Sequence, residues 1–151
     1  MITYSLVMIA YININNFNEN NLYFTDSIKN TVINNGKFIR LHYTNNSTIF
    51  NGIYIFAPLT LINKDNSNYI NIKKDNYTNL LIDIEKKILN KYLTKKKKVF
   101  RLNDQISLNS IKIFNNNDYN DININKIIIK ISGLWEDENS YGLTYKFINY
   151  N

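Results

Sequence analysis

Residues 126–150, "KIIIKISGLWEDENSYGLTYKFINY", set two apolar runs around three consecutive acids. "KIIIKISGLW" and "YGLTYKFINY" read as strands, and "EDENS" between them is a five-residue connection suited to an antiparallel hairpin. Ile127, Ile129, Ile131 and Trp135 fall into one row, and Leu143, Tyr145 and Phe147 share a face of the returning strand. Trp135, the only Trp of the chain, is therefore expected to continue a core-directed row and pack at the end of the fold, not to stack on a partner. Gly133 and Gly142 give the hairpin room to coil. Lys130 and Lys146 take the opposite faces.

Working outward, "KFIRLHY" at 37–43 alternates, with Ile39, Leu41 and Tyr43 on one face and Phe38, Arg40 and His42 on the other. In "IYIFAPLTLI" Ile53, Ile55, Ala57, Leu59 and Leu61 share a face opposite Tyr54 and Phe56. Pro58 cannot donate to a ladder and marks an edge or a bulge. "NYINIKK" at 68–74 reads as a further strand, and "YSLVMIAYINI" near the N-terminus as another, being too short to span a bilayer. The period changes where Leu81, Ile84, Ile88 and Tyr92 recur at three- and four-residue steps, widened by Leu80, Leu89 and Leu93, which predicts a helix over 77–94. Strands resume at "KVFRL" and "QISLNSIKIF", with a bulge or turn at Asn109-Ser110 where the apolar parity shifts. "NNNDYNDININ" is a polar loop. Strands, one helix, then strands again exclude a doubly wound sheet and fit a mainly β chain, an antiparallel barrel with one inserted α-helix.

Length and composition fit this reading. The chain has 151 residues and 44% hydrophobic content, enough for one domain, 1–151, around one core. Asn and Ile are abundant and Gly and Pro scarce, the mark of an AT-rich coding bias, so the Asn-rich loops and the sequons at Asn45, Asn46 and Asn76 carry no functional weight. With no Cys there is no disulfide framework, and the expected setting is intracellular. The net charge is +6, and Lys86, Lys87, Lys91, Lys95–Lys98 and Arg101 crowd a span without acids. Such a block attracts nucleic acid or an anionic surface. Part of it has a structural reason, since cations favour the C-terminal end of a helix.

No catalytic constellation can be assembled. His42 stands alone, "EDE" at 136–138 is the kind of acidic loop that is ordinarily solvated, and "NNGKFIR" lacks the glycine spacing of a phosphate-cradling loop. The expectation is a protein that is not an enzyme and takes no metal and no cofactor. What remains is a binding pattern of basic residues interleaved with aromatics on strand faces, the combination that tracks phosphates and stacks unpaired bases. Lys37, Phe38, Arg40, Tyr54, Lys97, Lys98, Arg101, Lys130 and Lys146 are the candidate contacts. Gly133, Trp135, Gly142 and Tyr145 are the candidate framework of the hairpin.

Two stretches, "FTDSIKNTVINNGKFIRLHYTNNSTIFNGIYIFAPL" and "ISGLWEDENSYGLTYKF", resemble the single-stranded DNA-binding proteins of nucleocytoplasmic large DNA viruses, relatives of a podophage replication single-strand binder. Gly36-Lys37-Phe38, the "NGIYI" strand and the pattern Gly133, Trp135, Gly142, Thr144, Lys146 carry the resemblance, which covers roughly half the chain; the segment before Asn21 has no counterpart. It implies an OB-fold that coats replication or recombination intermediates without catalysis, with a homodimer and replication proteins as partners and no membrane. It also implies an acidic, aromatic-ended tail, a pattern from which the neutral "KFINYN" departs. A viral structural or scaffold β-protein that assembles through its edge strands is the alternative. A small nuclease would need Asp75, Asp83, Asp104 or the "EDE" loop to converge.

Overall fold

The computed structural model describes residues 11–30, 32–33, 35–45, 47–64, 69–114 and 127–149. Most of the N-terminal run and the loop "NNNDYNDININ" lie outside them. The strands are β1 (Ile12–Asn13), β2 (Leu22–Asn30), β3 (Gly36–Asn45), β4 (Thr48–Asn51), β5 (Ile53–Phe56), β6 (Leu61–Lys64), β7 (Tyr69–Ile72), β8 (Lys97–Val99), β9 (Ser110–Phe114), β10 (Ile127–Glu136) and β11 (Ser140–Asn149). Two 3₁₀ turns follow β1, α1 (Asn76–Lys91) lies between β7 and β8, and α2 (Arg101–Ser107) between β8 and β9.

The hairpin β10–β11 is the spine. β10 pairs with β11 along one edge, and its other edge is shared by β5 over Ile128–Ile131 and by β3 over Gly133–Glu136. From β11 the sheet continues through β9 and β7 to β6, while β2 and β4 pair with β3. The result is an open, mixed sheet, because β1 runs parallel to β5 and both β8 and β9 run parallel to β11. This corrects the expectation of a purely antiparallel arrangement. The parallel partners lie more than twenty-five residues away along the chain, where local alternation carries no information about direction.

Alternation sends one face of these strands inward. Ile39, Leu41, Ile53, Ile55, Ile111, Ile113, Ile129, Ile131, Leu143 and Phe147 are buried in one cluster with Leu81, Ile84, Ile88 and Leu89 of α1. Each such side chain contributes about 1.5–3 kcal/mol on leaving water. At Pro58 the chain leaves the ladder, yet Ala57 and Leu59 stay buried, so the apolar parity outlasts the strand itself. The tip of the hairpin is tighter than expected. Glu136 and Ser140 belong to the strands, and Asp137 Oδ1 accepts the backbone N–H groups of Asn139 and Ser140 at 2.8 and 2.7 Å.

Asp75 starts α1 by accepting from the N–H groups of Tyr77 and Thr78, and Thr78 Oγ1 accepts from Asp75 N in return. The helix ends at Lys91, three residues before the 94 expected. Tyr92 is drawn into extended backbone, its hydroxyl donating to Glu136 at 2.6 Å and its ring set against Phe24 and Tyr141. Leu93, expected to widen the apolar stripe, is 93% exposed. The lysines that follow therefore stand beyond the helix rather than on its last turn.

A second helix replaces the strand expected at "QISL". Leu102 and Ile106, four residues apart, are both buried, whereas Leu108, which completed the apparent alternation, is 79% exposed. The buried carboxylate of Glu85 on α1 accepts from the N–H groups of Leu102 and Asn103 at 3.0 and 2.9 Å and so caps α2 from outside. Burial pushes the Glu85 carboxyl up from its ordinary range against these two hydrogen bonds. Asn109, with φ of 57°, turns the chain out of α2 into β9.

Candidate nucleic-acid interface

The outer face of the same sheet follows from the register of β10. Before Ser132, Ile128 and Lys130 point outward; between Ile131 and Gly133 the register slips by one residue, and Gly133 and Trp135 then take the outward positions. Trp135 is thus not in the row of Ile127, Ile129 and Ile131. Leu134 inherits that row and joins the core, because the bulge adds one residue and exchanges the faces.

The neighbours of these outward residues are the ones alternation singled out. Tyr54 lies opposite Lys130 and Phe56 opposite Ile128. Arg40 lies opposite Gly133, and Phe38 opposite Trp135. Across the hairpin, Lys146 faces Lys130, Thr144 faces Gly133, and Gly142 faces Trp135. The Lys130 ammonium sits 5.4 Å from the centroid of the Tyr54 ring. Phe38, Arg40, Tyr54, Trp135, Lys130 and Lys146 are accordingly brought together on one face, centred on β10.

Two glycines make room for the rings. A Cβ on Gly133 would lie 2.1 Å from the Ile39 carbonyl oxygen and 3.0 Å from the Phe38 ring; one on Gly142 would lie 2.9 Å from the Trp135 indole. Each ring thus lies across a backbone with no side chain beneath it. Trp135 is 6% exposed, and the Arg101 guanidinium covers its ring at 4.5 Å. Tyr145 points the other way, and its hydroxyl donates to Gln105 of α2 at 2.7 Å. Burial, with the Glu85 charge nearby, pushes the Tyr145 hydroxyl far above the ordinary phenol range.

The face extends past β11. Phe114 lies opposite Ile148, and Tyr69 opposite Lys112, whose ammonium is 5.1 Å from the Phe114 ring centroid. Lys112, Phe114 and Tyr69 were not singled out in the sequence, although "SIKIF" alternates with Ile111 and Ile113 inward and so displayed them. Among the described residues of β3, β5, β7, β9, β10 and β11, none that points outward on this face is Asp or Glu.

Other candidates stand apart. Lys37 lies opposite Glu136, in the inward row of β3. Lys98 lies opposite Tyr141 and donates to Asn90 of α1 at 2.6 Å, on the helix side of the sheet. Lys97, exposed and opposite Ser140, has the outward parity of Gly142 but sits at the hairpin tip, beyond Trp135. Lys96 binds Glu136 and also donates to the Asp137 carbonyl at 2.7 Å. Glu136, 6% exposed, is therefore not the solvated acid expected of the "EDE" run. Burial alone would raise its carboxyl, but the hydrogen bonds from Lys96 and Tyr92 and the charges of Lys96 and Lys37 bring it below the ordinary range. The Tyr92 hydroxyl is pushed up to about 12 by burial and by the carboxylate it serves.

Among the described residues no group of three or more His, Cys, Asp or Glu could hold a metal ion, and no helix is long and apolar enough to cross a membrane. What the outer face offers is cations and flat rings, with Ile128 and Trp135 buried among them. Compared with protein-family models, with curated proteins and with solved structures, the chain matches none.

Proposed function

We propose that the protein binds single-stranded DNA without regard to base sequence, along the outer face of β3, β5, β10 and β11. The observation that carries the reading is the pair Lys130 and Lys146, set directly opposite each other beside Tyr54, Phe38 and Arg40. Like charges at opposed positions destabilise a sheet. A row of phosphates turns that cost into attraction, and the rings beside it give unpaired bases surfaces worth roughly 1–3 kcal/mol each. The open, β-rich scaffold with its helical insertions is read as an OB-like barrel. On that reading the protein coats replication or recombination intermediates of a viral genome inside the host cell, as a homodimer alongside replication proteins.

A fluorescent oligothymidylate titrated at two salt concentrations tests the proposal. Phosphate contacts release counterions, so affinity is expected to fall steeply with salt and to exceed that for a duplex of equal length. No binding at low salt, or equal affinity for duplex, would refute it and leave a basic β-protein whose lysines serve only solubility.

A further inference from the structure

Among the described residues, a cleft that a strand lying flat on the outer face would not fill opens at the free edge of β11. β8 pairs with β11 over Ser140–Gly142 and β9 over Phe147–Ile148, while between them the chain swings away as α2. Alongside Leu143–Lys146 this detour opens a cleft of about 420 Å³, within the size range of small-ligand sites. Arg101 and Trp135 stand at one end, Lys146 lines it, and Lys112, Phe114 and Tyr69 form the other end. Phe114 and Tyr69 are 48% and 45% exposed.

We infer that this cleft receives a single nucleotide unit of the bound strand, turned out of the main track, with its phosphate held by Arg101 and its base laid on Phe114. The inference rests on the strand-binding reading and adds a defined subsite to it. Three cations line the cleft, and none of its lining residues is acidic. A guanidinium presents a planar fork that matches phosphate oxygens two at a time, and it keeps that geometry best when its plane is supported. Trp135 supplies the support. Its ring lies 4.5 Å beneath the Arg101 guanidinium, and Gly142 lets the indole lie flat on β11. The indole Nε1 is buried with no hydrogen-bond partner among the described residues, a cost that buys the placement of the ring. Trp135 is thus a positioning residue, which explains why it faces outward with the binding residues and is yet nearly inaccessible. At the far end Lys112 already lies over Phe114, leaving the exposed part of that ring to a base.

The only Trp stands in the cleft, so its fluorescence reads the site directly. Thymidine 5′-monophosphate, thymidine and inorganic phosphate would each be titrated against Trp135 emission, and a labelled oligothymidylate would be followed separately by anisotropy. The monophosphate is expected to change the emission saturably and to bind more tightly than either part alone. Arg101→Ala and Phe114→Ala should each weaken it roughly tenfold or more, and Arg101→Lys should fall between. Tyr54→Ala, outside the cleft, should weaken the oligonucleotide and leave the monophosphate unchanged; far-UV circular dichroism checks that each variant is folded. If the oligonucleotide binds while the monophosphate leaves Trp135 emission unchanged and Arg101→Ala is without effect, the subsite is refuted and the strand track stands. If inorganic phosphate binds as tightly as the monophosphate, the base contact is refuted. If the monophosphate binds and the oligonucleotide does not, the strand reading fails and a mononucleotide site remains.

Discussion

The two sides of β10 are made from alternate residues of one strand and differ in chemistry, although Ile128 faces outward and Glu136 inward. Inward, Ile127, Ile129, Ile131 and Leu134 meet α1 and the other strands in one apolar cluster. Outward, Lys130, Gly133 and Trp135 meet Tyr54, Arg40, Phe38 and Lys146. The inward side can be accounted for by folding alone. The outward side is accounted for only in part, since Ile128 and Trp135 are buried there while the opposed lysines add nothing to stability. The difference teaches that the strand backbone serves as a divider, and that the bulge at Ser132 fixes which residues stand on either side.

Substitutions on the two sides should separate accordingly. The largest effect is expected inward: Leu134→Ala leaves a cavity in the core and should cost about 2–5 kcal/mol in urea unfolding, with oligonucleotide affinity per folded molecule unchanged. Glu85→Ala, which strips the two N–H groups at the start of α2 of their acceptor, should cost about 1–3 kcal/mol in the same assay. Outward, Tyr54→Ala should remove about 1–3 kcal/mol of oligothymidylate binding while moving the unfolding midpoint far less than Leu134→Ala does. Arg40→Ala should lower the slope of log affinity against log salt by about 0.7, with stability changed by no more than about 0.5 kcal/mol.

The smallest effect concerns pH. The Glu136 carboxyl titrates below its ordinary value of 4.5 in the folded protein, so folding favours its ionised form. That contribution is complete above 4.5 and is lost as pH falls through the lower, folded value. Glu136→Gln should therefore flatten the acid limb of the stability profile in thermal unfolding below about pH 4.5 and leave strand binding at neutral pH unchanged. An acid limb identical to the parent's would mean that Lys96 and Tyr92 do not hold the carboxylate.

Much of this division can be read in the chain before folding. "KFIRLHY" and "IYIF" alternate without interruption, and their outward residues are the ones the structure sets side by side. The same parity places Lys37 with Ile39 and Leu41, away from Phe38, so alternation separates it from the other candidates of that strand. Trp135 fell on the wrong face because a bulge of one residue leaves no mark in composition, and Ser132-Gly133 reads like any flexible pair. The helix α2 was hidden for a different reason. Ile106 and Leu108 imitate a strand over three residues, while the acceptor that caps the helix is supplied by Glu85, seventeen residues upstream. The cleft was not legible at all, since it arises from parallel pairings on either side of that helix.

The most direct test is Lys130→Glu, which places a carboxylate opposite Lys146 and turns a repulsive cross-strand pair into an attractive one. Unfolding and oligothymidylate anisotropy measured on this one variant should move in opposite directions, with stability equal or slightly raised and affinity at low salt sharply reduced. Affinity equal to the parent's, in a variant that folds as well, would contradict a strand-binding track on this face.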